Sequence, residues 1–257
     1  MYLYIYDSYL KDKKFEITLN KIEARLSDLS INGRIAKMTI LKNIKEAVED
    51  GIKKGATTIV AVGNDQTLFD VIRSLASQLV TVGFIPVHCK SQIAQTLDIP
   101  PDDKACDTLS ARLTVKLDVG KINKHFFLSS VEIDQGQVSI ECDGRYWVTP
   151  LSPASSVQIC NFGYWSTCRQ KTVCHSNPQD GYLEAIIQPV NSQRNIFGFK
   201  SQQQNQASVF SAKKLKIVSQ TESVPISVDG EMVAKTPVSI EVVPQKLNII
   251  VGKKRMF

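Results

Sequence analysis

The stretch TTIVAVGNDQTLFDVIRSL, residues 57–75, decides how the rest of the chain is read. An apolar run, TTIVAV, passes through one glycine, Gly63, into a segment whose apolar residues recur at helical spacing. A strand that hands a short loop to a helix has this form. The loop between them, Gly63-Asn64-Asp65-Gln66-Thr67, sits where such a turn would hold a phosphate. Phosphate loops favour several glycines, because the backbone must approach the anion closely and adopt positive φ. Here Gly63 stands alone, and Asn64 and Gln66 flank the acid Asp65.

Outward from this stretch the first 110 residues alternate strand-like and helix-like segments. YLYIY (2–6) is a strand candidate, and Ile17, Leu19, Ile22, Leu26 and Leu29 mark a helix over residues 15–29. A second helix follows, with Leu41, Ile44, Val48 and Ile52 on one face and Gly55 as its stop. After the opening strand come a helix over TLFDVIRSLASQLV, a strand TVGFIPV, and a short helix near 91–97 that the prolines of IPPDD end. Such alternation predicts a doubly wound, Rossmann-like parallel sheet, with ligands beyond the carboxyl ends of its strands.

From about Arg112 the period changes to two. LTVKLDVGKIN, HFFLSSVEI, QVSIECDGRYWV, SVQICNF, GYLEAIIQPV, KLKIVS, VPISVDGEMVA, TPVSIEVVP and LNIIVG all read as strands. Asp143-Gly144 and Asp229-Gly230 are hairpin turns by composition, and KSQQQNQAS (200–208) is a loop or sheet edge. The expected organisation is an α/β domain over residues 1–110 and an all-β sandwich over 111–257, with no internal repeat.

The 257 residues are 43% hydrophobic and 22% charged, ample for a sizeable core. No apolar run approaches the roughly 20 residues that span a bilayer. MYLYIYDSYLKDKK lacks the pattern of a signal peptide, so the chain is read as soluble and cytoplasmic. Six cysteines without a CxxC pair read as reduced thiols, and the Cys168, Cys174, His175 group fits no zinc spacing. A net charge of +6 suits anionic ligands or an anionic membrane surface and is too diffuse for nucleic acid. Its densest clusters, AKKLK (212–216) and GKKRMF (252–257), read as solvated surface and a tail.

Five segments in order give the chain a family resemblance. EAVEDGIKKGATTIVAVGNDQTLFDVI sits where a helix, a strand and a Gly-Gly-Asp-Gly-Thr loop are found, and GFIPVHCKSQIAQTLDIP matches an IIPxGTxNDFAxxLxIP segment without a gap. LDVGKINKHFFL, NPQDGYLEAII and VPISVDGEMVAKTPVSIEVVPQKLNIIV complete the set. The chain resembles the diacylglycerol/lipid kinase catalytic family, whose nucleotide-binding domain is shared with the NAD kinases and sphingosine kinases.

The resemblance implies ATP-dependent phosphoryl transfer to a lipid hydroxyl at the membrane surface, with Mg²⁺. Glu231 matches the general base and Asp65 the loop acid. Thr39, Gly63, Asn64, Asp65, Gln66, Thr67 and Cys89 fall at nucleotide-binding positions. Thr67 reads equally as an N-cap of the next helix. Asn177, Asp180 and Tyr182 match a structural magnesium site, and they read equally as an Asp-Gly turn. A peripheral place at the membrane follows, and the resemblance leaves a homodimer open.

The departures lie at the phosphates. Asn64 and Gln66 replace loop glycines, His88, Cys89, Lys90, Ser91 and Gln92 stand at Gly-Thr-x-Asn-Asp, and Gln179 replaces an acid. YDSYL follows the first strand where the family has NPxSG, and the second domain lacks a helical insertion after HFFLSSVEI. His88 and Lys90 are read either as groups facing a phosphate or as a solvated loop. Three functional readings follow: a lipid kinase, a catalytically inactive binding or regulatory module, and a small-molecule kinase nearer the NAD kinases.

Overall fold

The computed structural model of the chain describes residues 1–39, 42–75, 78–166, 173–189 and 207–257, and of 164–166 and 173–175 the backbone alone. The chain forms two compact units, residues 1–119 with 244–257, and residues 120–243.

The first unit is built on a parallel sheet. Its strands are β1 (Tyr2–Tyr6), β2 (Gly33–Lys37), β3 (Thr58–Gly63) and β4 (Thr81–Pro86), in the order β2-β1-β3-β4. Helices α1 (Glu16–Asp28), α2 (Ile44–Lys53) and α3 (Asp65–Ser74) connect them, and α4 (Gln92–Thr96) and α5 (Ala105–Ala111) follow β4. All of β1 and nearly all of β3 and β4 are buried, as strands covered on both faces must be. The tyrosines of β1 are placed for their polar ends: the Tyr4 hydroxyl donates to Ile31 O at 2.6 Å, and Arg112 Nε donates to the Tyr2 hydroxyl at 3.0 Å. Register puts Tyr6 opposite Lys37 and Val62, and Gly63 opposite Pro86. The carboxyl ends therefore align, and the loops after β1, β3 and β4 leave from one edge.

The second unit is antiparallel. It contains β6 (His125–Phe127), which pairs with the end of β5 (Thr114–Ile122), and then β7 (Ser130–Ile133), β8 (Val138–Cys142), β9 (Tyr146–Val148) and β10 (Ser156–Cys160). A two-stranded pair, β11 (Gly163–Ser166) and β12 (Val173–Ser176), precedes β13 (Leu183–Gln188). The remaining strands are β14 (Ser208–Ala212), β15 (Lys214–Ser219), β16 (Pro225–Val228), β17 (Glu231–Lys235) and the first half of β18 (Val238–Ile250), whose residues from 244 on belong to the first unit. One sheet runs β14-β13-β10-β7-β16-β17, and β18-β15-β8-β9 lie side by side in another. Ile140, Leu215, Ile217 and Ile240 from the second meet Val131, Ile159, Ala185 and Ile226 from the first in one buried cluster. That is a sandwich core with alternate residues turned inward.

The α/β-plus-β fold class is as the sequence predicts, with local differences. Strand β2 and helix α5 carry too little periodic apolar sequence to be read, since four of the five β2 residues are exposed. HFFLSSVEI divides into β6 and β7, whereas TPVSIEVVP and LNIIVG run together as β18, with Gln245 at φ 51° inside it. Helix α3 begins two residues earlier than expected and ends at Ser74. Of the proposed loop KSQQQNQAS, residues 200–206 lie outside the described residues, and Ser208 opens β14.

Gly120 offers a test of the packing in this unit. It faces Phe127 across the β5–β6 pair, and a Cβ there would fall against the Phe127 ring. Gly120→Ala should therefore cost about 1–3 kcal/mol in urea unfolding, as overpacked cores do. An unchanged midpoint would show that the ring moves aside freely.

Candidate nucleotide and phosphoryl-transfer site

Strand β3 ends at Gly63 and helix α3 starts at Asp65, so the turn between them is one residue, Asn64. Asn64 is the N-cap, and its side chain accepts from Thr67 N at 3.1 Å, while Thr67 Oγ1 accepts from Asn64 N at 3.1 Å. Thr67 is thus the third helical residue of a reciprocal capping box and not the N-cap the sequence suggested. Its hydroxyl also donates to Asp7 Oδ2 at 2.6 Å. Asp7 follows β1 directly, and it too caps, accepting from Tyr9 N. The first and third strands are thereby tied at their carboxyl ends through Asp7 and Thr67. Gly63 has no room to be anything else: a Cβ would meet Thr67 Oγ1 and lie 3.1 Å from Asp7 Cβ.

Two amides of the loop, those of Asn64 and Thr67, are consequently used inside it. The Asp65 carboxylate is the group left over. Its Oδ1 is buried and makes no hydrogen bond, and burial raises its pKa, with a hydrogen bond from the Ser91 hydroxyl working against the rise. Gln66 turns along the helix and donates to Asp70 Oδ1 at 3.2 Å.

The loop after β4 closes on the same place. Val87 N donates to Gly63 O at 2.8 Å, and the Cys89 thiol reaches Gly63 O at 3.7 Å. Burial, aided by the charges of Asp65 and Asp102, pushes the Cys89 thiol up to about 11, so it is no nucleophile at neutral pH. Cys89, Lys90, Ser91 and Gln92 line a groove of about 1070 Å³ whose other walls come from α4, α5 and residues 251–254. His88 is turned elsewhere. It sits at φ 49°, its Nε2 is 2.8 Å from Thr18 Oγ1 on α1, and Phe15 packs edge-on against its ring. Thr39 lies two residues beyond β2, exposed, in a short bridge with Lys42. Of the residues read as nucleotide-binding, Gly63, Asn64, Asp65, Thr67 and Cys89 come together.

In the second unit, Glu231 is the first residue of β17 and is exposed. The turn before it has Asp229 at φ 49° and Gly230 at φ 82°, the pair of positive values a type I′ hairpin requires. Asp229 is buried, and its carboxylate accepts from Ser129 N at 2.8 Å, Leu128 N at 3.0 Å and Ser130 N at 3.1 Å. A base candidate is thus presented by a turn locked to the entry of β7. Asn177, Asp180 and Tyr182 share one turn: Asp180 Oδ1 accepts from Tyr182 N, and Asn177 Oδ1 accepts from Gln179 N. Burial lifts the Glu184 carboxyl, just beyond, to about 7, with Ser176 opposing the rise and the Asp180 charge adding to it. A carboxylate at a turn with a second acid beside it is donor chemistry that suits a hard cation completed by water. Among the described residues no group of three or more His, Cys, Asp or Glu gathers for a metal. Cys168 lies outside the described residues, as do the side chains of Cys174 and His175.

Comparison with known proteins matches both parts of the chain. Residues 2–122 fit the family described as the diacylglycerol kinase catalytic domain, and residues 129–251 fit the YegS C-terminal NAD kinase beta sandwich-like domain. The diacylglycerol kinase of Bacillus subtilis (strain 168) is 35% identical over 75 residues, 28% of this chain and 25% of that protein. That of Staphylococcus haemolyticus (strain JCSC1435) is 32% identical over 101 residues, 38% of this chain and 31% of its own. These matches thus span a quarter to a third of the curated relatives. Among solved structures, a diacylglycerol kinase from Bacillus anthracis str. Sterne superposes with a TM-score of 0.80 at 18% identity, covering 99% of this chain and 98% of the other. An NAD kinase from Archaeoglobus fulgidus in complex with ATP gives 0.62 at 14%, covering 99% and 95%.

Proposed function

The chain belongs to the diacylglycerol kinase/NAD kinase-like family, and on that premise we propose that it is a lipid kinase-like phosphotransferase using ATP and Mg²⁺. The observation that carries this reading is Asp65. A buried carboxylate oxygen without a partner costs about 1–3 kcal/mol or more, and here it stands at the N-terminus of a helix beyond a parallel strand. That placement favours a crevice in which a bound group supplies the missing hydrogen bond.

In this reading Gly63, Asn64, Asp65, Thr67 and Cys89 would hold the nucleotide, and Asp65 would face the cation that accompanies it. ATP supplies the transferable phosphoryl group, and Mg²⁺ offsets its charge. Glu231 accepts the proton as the lipid oxygen bonds to phosphorus, and the bond to the leaving diphosphate oxygen breaks. Asp180, with Asn177 and Tyr182, would hold a second, structural cation.

One observation favours the non-catalytic alternative. Asn64 fills the loop from within, and Asp7 adds a negative charge against Thr67. Thermal unfolding with ATP and Mg²⁺ separates the two. The reading expects an upward shift of about 5 °C or more at a hundredfold excess over the dissociation constant. Asn64→Gly, which frees the Thr67 amide at little cost to the cap, should tighten ATP several-fold. If neither protein responds to ATP, the phosphotransferase reading falls and the binding-module reading stands.

A further inference from the structure

The six-residue span from Arg145 to Pro150 is used by no part of the site above. Trp147 is opposite Glu141 on β8, and Glu141 is opposite Lys216 on β15, so all three share the outer face of that sheet. The inner face holds Ile140, Cys142, Leu215 and Ile217 in the core. Trp147 is 52% exposed on this face, and Leu151, just beyond the strand, is fully exposed; Tyr146, opposite Cys142, turns to the other face and is 46% exposed at its rim. Arg145 is exposed in the β8–β9 turn, and Lys213, Lys214 and Lys216 are exposed at the start of β15. Asp143 in the same turn accepts from both Lys213 N and Lys214 N, so turn and lysines move as one piece. The Lys213 ammonium also stands 5.0 Å from the Tyr182 ring.

We propose that this edge, Arg145 to Leu151 with the lysines at the start of β15, is a docking surface for an anionic phospholipid bilayer. The chemistry on each side is matched. An indole ring partitions to the level of lipid headgroups, an exposed leucine enters the acyl boundary, and lysines near an anionic leaflet each add about 1 kcal/mol. Arg145, Lys213, Lys214 and Lys216 stand against Glu141, Asp143 and Glu241; Glu241, opposite Lys214, is paired with a fifth cation, Lys121, and the Asp143 carboxylate accepts from two backbone amides, so cations exceed acids by two. A second copy of the chain fits less well. A two-fold contact would set the same four cations against themselves, and β9 offers three residues before Pro150 ends any ladder. A nucleic acid would use the rings and cations but has no use for Leu151. The inference rests on the lipid-kinase reading for its choice of partner, but binding can be measured without catalysis.

The test is co-sedimentation with sucrose-loaded vesicles of phosphatidylcholine alone and with 30 mol% phosphatidylglycerol, a probe composition of about this content. The protein should bind the anionic vesicles, weaken with added salt, and leave the neutral ones. Trp147→Ser with Leu151→Ser, and separately Lys213→Gln with Lys216→Gln, should each lower the partition coefficient at least tenfold with unchanged melting. In a Trp165→Phe background the Trp147 emission should shift to the blue on vesicle addition. Binding that the two double variants leave intact overturns the proposal. So does a dimer lost with the Trp147 change, or an oligonucleotide that outcompetes the vesicles. Absence of lipid phosphorylation with vesicle binding retained would instead remove the kinase reading alone.

Discussion

Asp229→Ala is expected to destabilise residues 120–243 by roughly 3–5 kcal/mol. Three backbone amides, of Leu128, Ser129 and Ser130, lose their acceptor at once, and two of these bonds are buried. Alanine also tolerates the left-handed φ of 49° at this turn less well than aspartate, adding about 1 kcal/mol. Asp229→Asn separates these contributions. It keeps one oxygen and the turn conformation but points an NH₂ group at an amide, so a loss of about half is expected. Urea unfolding read by intrinsic fluorescence measures both. A loss below about 0.5 kcal/mol for alanine would mean that water reaches all three amides.

That prediction also marks where sequence reading stops. Asp-Gly between two alternating runs is a local signal, and both such turns are type I′-like hairpins with positive φ at each central residue. The partners of Asp229 lie about a hundred residues earlier, in a segment whose own sequence says only that it is strand. The same holds at the first loop. Asn64 three residues before Thr67 is a legible cap signature, although the apolar period alone starts the helix two residues late. The link from Thr67 to Asp7 spans sixty residues, and it becomes visible only when β1 and β3 are paired in register. A hint existed, since Asp7 follows a strand whose carboxyl end lies at the ligand edge of a parallel sheet.

The substitutions around the loop look different once their contacts are known. By composition, Asn64 replaces a glycine and removes space. By geometry it supplies a cap, and the loop becomes a self-satisfied turn in which one oxygen of Asp65, Oδ1, is left wanting a partner. His88 departs from the family pattern too, yet its ring is committed to Thr18 and Phe15. Cys89, Lys90, Ser91 and Gln92 of that segment line the groove instead. Side-chain direction decides between a phosphate contact and a packing contact, and composition does not encode direction.

Glu231→Gln is expected to reduce phosphorylation of a lipid alcohol by about 10²–10⁴-fold, the usual worth of a positioned general base. Glutamine keeps the shape and hydrogen bonding of the side chain but cannot accept the proton. Glu231 is exposed and opens β17, and glutamine keeps its length and hydrogen-bonding capacity, so the melting temperature should stay within a degree or so of the parent. The ATP-induced shift should also persist, because the residues that would hold the nucleotide belong to the other unit. The loss should appear in kcat with the KM for ATP little changed, as for an interaction made only in the transition state. Three results have separate meanings. Retention of activity within threefold would place the base elsewhere. Loss of activity together with the ATP shift would make Glu231 a structural residue. An ATP shift without turnover in the unaltered chain would turn the loop of Asn64, Asp65 and Thr67 into a nucleotide sensor, since Asp65 would then be satisfied by a ligand that is bound and never consumed.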